Sequence, residues 1–568
     1  MRHLISTLVM IPFLIVCNCK TFSQENYKYR ENESENKYRI SSDELALGDK
    51  LEDLAKQLDF PGFSACVLSH DQIIWNKNYG YADIANGIPA TTNTSYHCAS
   101  LTKSFSSAVI LQLQEDGLLD LNENVLPSLY SILKQYGIEI NESVGEIKIK
   151  HLLSHTSDNP VGTYFRYDGD RFSLLSKIIF DATNCQLQDH ILKILTLNNI
   201  NNTVPVTYLS NYPEIKTLLA RPYTYDSLGN MLIGNYATQF NAATGLISSV
   251  NDLASFIGKL DNQLIISEES MQLANMPFRF KTGNYSNYGI GWFVENFHDV
   301  KLIWNFGYGY CTSGMILKIP EFDLTFIILS NCDRLSKPFP IGLPQVSVLE
   351  SQFALEFFKA FIVPRIYKDP IPDIDLEKTF SEIENEISRV HNQGIRELLS
   401  YELKSSWNIS RITGDSNQQE KLFNVYSQSF LNEKVIKKNI PVELVNISEV
   451  NAKGLFTQKF ELENNALIRI NAIADGGYCN YFGMYDQVWI ENNESNTEIW
   501  RMNAEHTECG GGHPRNRFAD LILELEAGNY TVYFDNRQSP YNHFLNHWEA
   551  FPPDDLFWGI RIDFIQKL

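Results

Sequence analysis

Between Gly62 and Asp83 the sequence GFSACVLSHDQIIWNKNYGYAD alternates apolar and polar positions in two runs, separated by a polar break at Ser69–Asp71. A period of two predicts two strands joined as a hairpin. The pattern changes at Ser100, from which apolar residues recur at helical spacing as far as Gly117. Further on, KLIWNFGYGYCTSGMILKIPEFDLTFIILSN predicts two or three strands with a turn at Pro320–Asp323. This mixture over residues 43–364 fits an α+β domain, an antiparallel sheet flanked by helices. Residues 365–435 turn helical in spacing, with Pro370 and Pro372 at the entry, and read as a helical connector. From residue 436 to 568, runs such as LIRINAIAD, TEIWRMN and ADLILELEAGNYTVYFDN alternate with turns rich in Gly, Asn and Asp. They predict a C-terminal all-β sandwich of accessory type.

With 568 residues the chain has room for two or three domains, and 44% hydrophobic and 12% aromatic residues exclude a disordered composition. A net charge of −21 argues against nucleic acid and anionic membrane surfaces as partners. Arg2 and His3 precede the apolar run LISTLVMIPFLIVC, and small residues Thr21 and Ser23 stand before Gln24. This predicts an export signal over residues 1–23, cleaved after Ser23, with lipidation at Cys17 or Cys19 as the alternative. Residues 24–42 are polar and charged and read as a mobile leader, so a periplasmic or secreted protein is expected. The other seven cysteines, Cys66, Cys98, Cys185, Cys311, Cys332, Cys479 and Cys509, are widely spaced. They suggest buried free thiols rather than a zinc site, with a Cys479–Cys509 bridge left open.

The candidate chemistry starts in HCASLTKSFSSAVILQLQEDG. Ser100 and Lys103, three apart at a helix start, would share one face, with helix N–H groups nearby for an oxyanion. A serine hydroxyl needs such a base to attack a carbonyl. The bland alternative is a serine cap followed by a surface lysine. Context decides between them. The motif is followed in order by HLLSHTS, ARPYTY, NAATGLISSVNDLASF, YGIGWF and GYGYCTSGMILKIP, and preceded by GYAD. From about Leu45 to Phe361 the chain resembles the class C β-lactamase and penicillin-binding-protein-like serine hydrolases, a group with esterases and D-amino-acid peptidases.

The resemblance implies that Ser100 is the nucleophile and that Lys103 and Tyr167 handle its proton, with Tyr167 favoured as phenolate by the lysine charge. Tyr167-Asp168-Gly169 stands where the family has Tyr-x-Asn, so Gly169 lacks the amide offered to a β-lactam or peptide. Asn305-Phe306-Gly307 stands at the third motif, where the family places Lys or His. Asn305 would hydrogen-bond substrate or Tyr167 without a positive charge, Gly307 would let the backbone approach the substrate, and Tyr308 would give the second oxyanion N–H. Expected substrates are small esters, amides or peptides; no metal or organic cofactor is implied. His151 and His155, spaced four apart, read as structural rather than as metal ligands, and Asp252 as a helix cap. The glycine-rich CGGGHPRNR at Cys509–Arg517 lacks a phosphate-loop context. Trp489, Trp500, Trp548 and Trp558 raise glycan binding by the last domain, and with it the rival reading of a catalytically weakened hydrolase fold that binds a glycan or protein.

Overall fold

The computed structural model describes residues 41–567 except 130–145, 158–160, 164, 227–228, 282, 284, 340, 343–345, 369, 373, 376–377, 431–441, 448–453, 476–485, 503–507, 510–515 and 538–558. The expected export signal and the leader up to residue 40 lie outside these residues, as do Cys479, Trp548, Trp558 and most of the glycine-rich stretch.

In chain order the strands of the first domain are β1 (Gly62–Ser69), β2 (Gln72–Asp83), β3 (Ile88–Pro89), β4 (Tyr96–His97), β5 (Val204–Pro205), β6 (Tyr223–Tyr225), β7 (Met231–Ile233), β8 (Leu246–Ser248), β9 (Phe293–Phe297), β10 (Val300–Gly309), β11 (Thr312–Ile319) and β12 (Leu324–Ser330). Seven form one antiparallel sheet in the order β3-β2-β1-β12-β11-β10-β9. The period-two pattern divides its side chains between two cores. Phe63, Ala65 and Val67 of β1 meet Leu47 and Leu51 of the Ser42–Gln57 helix and Phe353 of the Gln352–Phe357 helix. Cys66 and Leu68 face the other way, into a core with Phe105 and Val109 of the Thr102–Glu115 helix and Phe256 of the Val250–Asp261 helix. Helices therefore cover both faces of the sheet, the α+β arrangement expected. The predicted helix start is shifted slightly: Ala99–Leu101 is a 3-10 turn and the α-helix runs Thr102–Glu115.

Landmarks far apart in sequence meet at one corner of this domain. Arg221 pairs with Asp83 at 3.3 Å, and the Asn331 amide donates to the carbonyls of Tyr81 and Arg221 at 3.2 and 3.0 Å. GYAD, ARPYTY and the end of β12 are thus a structural knot.

After the first domain come helices Phe380–Ser388, Gln393–Thr413 and Ser416–Phe430. The Gln393–Thr413 helix has two apolar faces. Leu398 and Ile409 enter the core beneath the sheet, while Ile395, Leu399 and Leu403 join Ile383, Ile387, Leu422 and Val425 in a core of their own. Polar contacts reinforce the first face. Lys359 lies 3.4 Å from Glu356 and 3.3 Å from Glu402, Lys404 lies 3.1 Å from Glu350, and the Ser405 hydroxyl donates to Gln352. Of the helices expected to connect two domains, Gln393–Thr413 packs on the first one, and the other two pack on it.

The C-terminal strands are β13 (Val442–Ile447), β14 (Leu455–Leu462), β15 (Ala466–Asp475), β16 (Gln487–Asn492), β17 (Thr497–Arg501), β18 (Glu508–Cys509), β19 (Asn516–Leu525), β20 (Gly528–Asp535) and β21 (Gly559–Lys567). They form sheets of order β13-β21-β15-β19-β18 and β14-β20-β16-β17 around Ile468, Ile470, Val488, Ile490, Val532 and Phe534. Trp489 faces outward between Tyr533 on β20 and Arg501 on β17. The Tyr533 ring stacks on it at 4.6 Å and the Arg501 guanidinium lies 4.8 Å from its centre. Trp500 packs against the sandwich core. Both indoles are half-buried, one between its cross-strand neighbours and the other against the core.

Candidate active site

Ser100 stands in the turn that opens the Thr102–Glu115 helix, and that turn is held from several sides. Ala99 has a left-handed φ of 44°, its N–H donates to His97 Nδ1 at 3.2 Å, and its carbonyl accepts from the Thr102 hydroxyl at 2.7 Å. The Thr102 hydroxyl in turn accepts from the Leu246 N–H at 3.1 Å. One helical step on, Lys103 is completely buried (0% exposed), with Nζ 2.8 Å from Ser100 Oγ and 3.3 Å from the Ala243 carbonyl. Burial pulls the Lys103 amine from its usual 10.5 down to about 7, against the opposing charges of Asp168 and Asp170. A substantial share of neutral amine at neutral pH is what a base for Ser100 requires.

Tyr167, just before the short Gly169–Ser173 helix, reaches the same place. Lys103 Nζ sits over its ring, 4.8 Å from the centroid. Its hydroxyl is buried without a hydrogen-bond partner among the described residues. Burial raises its pKa, and Ser100 is the polar neighbour that pulls it back. That direction runs against the expected phenolate. The low-dielectric nest disfavours the anion. Asp168 caps the short Gly169–Ser173 helix by accepting from the Arg171 N–H at 3.0 Å, and Arg166 and Arg171 lie 3.4 and 3.5 Å from its carboxylate.

Gly169 borders open space: a Cβ built there meets nothing within 4 Å. Gly307 is the opposite case, since a Cβ there would lie 2.4 Å from the Cys98 carbonyl. Only glycine lets β10 press against the turn that carries Ser100. Its close neighbour is therefore the Cys98 backbone. Tyr308 follows on β10 with its side chain 48% exposed. Asn305 differs from expectation. It is fully buried, its amide donates to the Gly291 carbonyl at 3.1 Å, and its Oδ1 accepts from the Phe306 N–H at 2.9 Å. Both ends are spent on backbone, so Asn305 is not free to hydrogen-bond a substrate or Tyr167.

The two histidines also serve backbone. His151 Nδ1 accepts from the Lys148 N–H, and His155 Nδ1 from the Asp168 N–H, each at 3.0 Å. Among the described residues no group of three or more His, Cys, Asp or Glu is arranged to hold a metal. The cap of the Val250–Asp261 helix is Ser249 rather than Asp252, whose carboxylate accepts from Asn202 N–H at 2.6 Å and Thr203 Oγ1 at 2.8 Å. Two contributors had no role assigned to them from the sequence. Asp168 carries a readable cap pattern just before its helix. The Ala243 carbonyl leaves no sequence signal, being a backbone atom brought in by the tertiary fold.

A serine on the turn that opens a helix, a buried lysine beside it, a tyrosine ring against that lysine and a glycine of β10 pressed on the same turn come together here. The beta-lactamase family model matches residues 47–346, and the chain belongs to that family. It is 26% identical over 318 residues to Protein flp of Staphylococcus aureus (strain MW2), spanning 48% of this chain and 59% of that protein. It is 25% identical over 318 residues to Penicillin-binding protein 4* of Bacillus subtilis (strain 168), spanning 47% and 68%. The match thus spans about three fifths of the first relative's length. Among solved structures, the octameric penicillin-binding protein homologue from Pyrococcus abyssi superposes with a TM-score of 0.45 and 23% identity, over 51% of this chain and 73% of that one. D-amino acid amidase from Ochrobactrum anthropi SV3 does so with 0.42 and 20%, over 51% and 91%.

Proposed function

We propose that the protein is an exported serine hydrolase that cleaves small esters or amides through a covalent acyl-enzyme on Ser100. The observation that carries this is the 2.8 Å contact between Ser100 Oγ and a Lys103 amine that burial holds near neutrality. With the amine neutral, the serine hydroxyl donates across that contact. Lys103 takes the proton as Oγ attacks the carbonyl carbon, and the Ser100 and Tyr308 N–H groups hold the oxyanion. The proton then passes to the leaving group, with the neutral Tyr167 phenol as the adjacent donor. Water attacks the acyl-enzyme by the same route in reverse, freeing the acid and restoring Ser100. The missing cation at Asn305 favours neutral substrates over carboxylate-bearing ones such as β-lactams. The apolar run before Gln24 supports export.

The test is a fluorophosphonate probe followed by peptide mass mapping, with a panel of small esters and D-amino-acid amides alongside. A single adduct on the Ser100 peptide is expected, with acyl release from at least one substrate. No adduct on folded protein would overturn the reading in favour of a non-catalytic binding role.

Gly169 offers a second check. The space beside it accepts an Asn side chain without backbone strain. Gly169→Asn is expected to raise the acylation rate with a chromogenic cephalosporin about tenfold, the worth of one hydrogen bond to the substrate amide, with an unchanged thermal midpoint. An unchanged rate would show that this space is off the substrate path.

A further inference from the structure

The residues on either side of Tyr167 are both tied to one side chain's residue. The Arg166 N–H donates to the His155 carbonyl at 2.9 Å, and the Asp168 N–H donates to His155 Nδ1 at 3.0 Å. Between these two bonds the His155 ring packs on the Tyr167 ring, 4.4 Å between centroids. Tyr288 closes on His155 edge-on at 4.9 Å, and Phe172 lies at 5.4 Å. His155 has a left-handed φ of 54°, which turns its carbonyl and its ring toward the same segment. We propose that His155 is a positioning residue for the reaction, a two-point clamp across Tyr167 that fixes where the phenol hydroxyl points relative to Ser100 and Lys103.

The chemistry of the ring suits the role. Nδ1 must stay unprotonated to accept from Asp168, so the proton sits on Nε2. Burial, and after it the charge of Lys103, keep the imidazole neutral, well below its ordinary pKa. His155 touches Ser100 in none of its hydrogen bonds, so it acts on the reaction through Tyr167. The inference rests on Tyr167 belonging to the catalytic machinery.

Two variants separate the clamp from simple packing. His155→Phe keeps an aromatic ring and removes the acceptor. His155→Asn keeps an acceptor near the Nδ1 position and is the side chain best suited to positive φ. The readouts are the limiting labelling rate by a fluorophosphonate and the probe concentration giving half that rate. The limiting rate in His155→Phe is expected to fall roughly 10–100-fold with half-saturation within about threefold, while His155→Asn stays within about fivefold of wild type. Wild-type labelling by folded His155→Phe, or equal losses in both variants, would overturn the clamp. Should His155→Phe not fold, His155→Gly takes its place, since it accepts the positive φ and also lacks the acceptor. Tyr167→Phe distinguishes the two levels: if it labels like wild type, the role of Tyr167 itself fails; if it loses activity while His155→Phe does not, only the clamp fails.

Discussion

Turnover by Lys103→Met is expected to fall roughly 10³-fold or more, approaching the complete loss expected in Ser100→Ala. The two residues share one 2.8 Å contact, so removing either leaves the other without its function. The double variant should therefore be no slower than the worse single one. Methionine fills the lysine's volume, so the loss is chemical and the domain stays folded. Stability makes a separate signature. The folded Lys103 binds its proton near pH 7 and the unfolded one near 10.5, so between those values the unfolded state holds more protons. That deficit makes wild type gain stability as pH rises from about 7 toward 10.5, and below about 7 the burial of a charged amine costs stability throughout. Lys103→Met lacks this slope. Its advantage over wild type in thermal midpoint should be largest at acid to neutral pH and shrink as pH rises. Activity should climb through the same region near pH 7, as the amine loses its proton. A pH-independent difference in midpoint, or wild-type turnover in Lys103→Met, would refute this account of the base.

Lys359→Ala is expected to destabilise the protein by about 3–5 kcal/mol, the usual loss when one partner is removed from a buried ion cluster. Lys359 lies between Glu356 of the Gln352–Phe357 helix and Glu402 of the Gln393–Thr413 helix, and all three side chains are largely buried. Burial pulls the Lys359 pKa down, and Glu402 and Glu356 more than offset it, so the amine is firmly charged. Without it, two carboxylates are left facing each other in a poor solvent for charge. The damage should shrink as pH falls and the carboxylates take up protons. Adding Glu402→Gln to Lys359→Ala should recover part of the loss. Thermal unfolding of the three proteins at pH 5 and pH 8 measures this, and an unaltered midpoint in Lys359→Ala would show that the helices after residue 364 are not integrated with the sheet domain.

The local part of this architecture was legible in the chain. Period two in Gly62–Asp83 is the hairpin of β1 and β2, and the three-residue spacing of Ser100 and Lys103 becomes a contact because a single helical step joins them. What depended on distant partners was not legible. Asn305 is spent on Gly291, 14 residues away, and Asp252 on residues 202 and 203, 50 and 49 away. The helical spacing of residues 365–435 read as a connector, and the second apolar face of the Gln393–Thr413 helix has meaning only with the sheet domain as its partner. Strand register, which sequence leaves open, decides that Trp489 lies between Tyr533 and Arg501. The raised Tyr167 pKa has a related origin: the aromatic rings around Tyr167 are those of His155, Tyr288, Phe293 and Phe306, from three separate stretches.

The five cysteines of the first domain, Cys66, Cys98, Cys185, Cys311 and Cys332, are buried free thiols. Burial lifts Cys66 and Cys332 to about 12 and raises Cys98 and Cys311 as well, so at neutral pH these four carry almost no thiolate for an oxidant or a disulfide to meet. They act as small apolar residues. The first domain thus owes no part of its shape to disulfide cross-links, and its thiols contribute as packing volume alone.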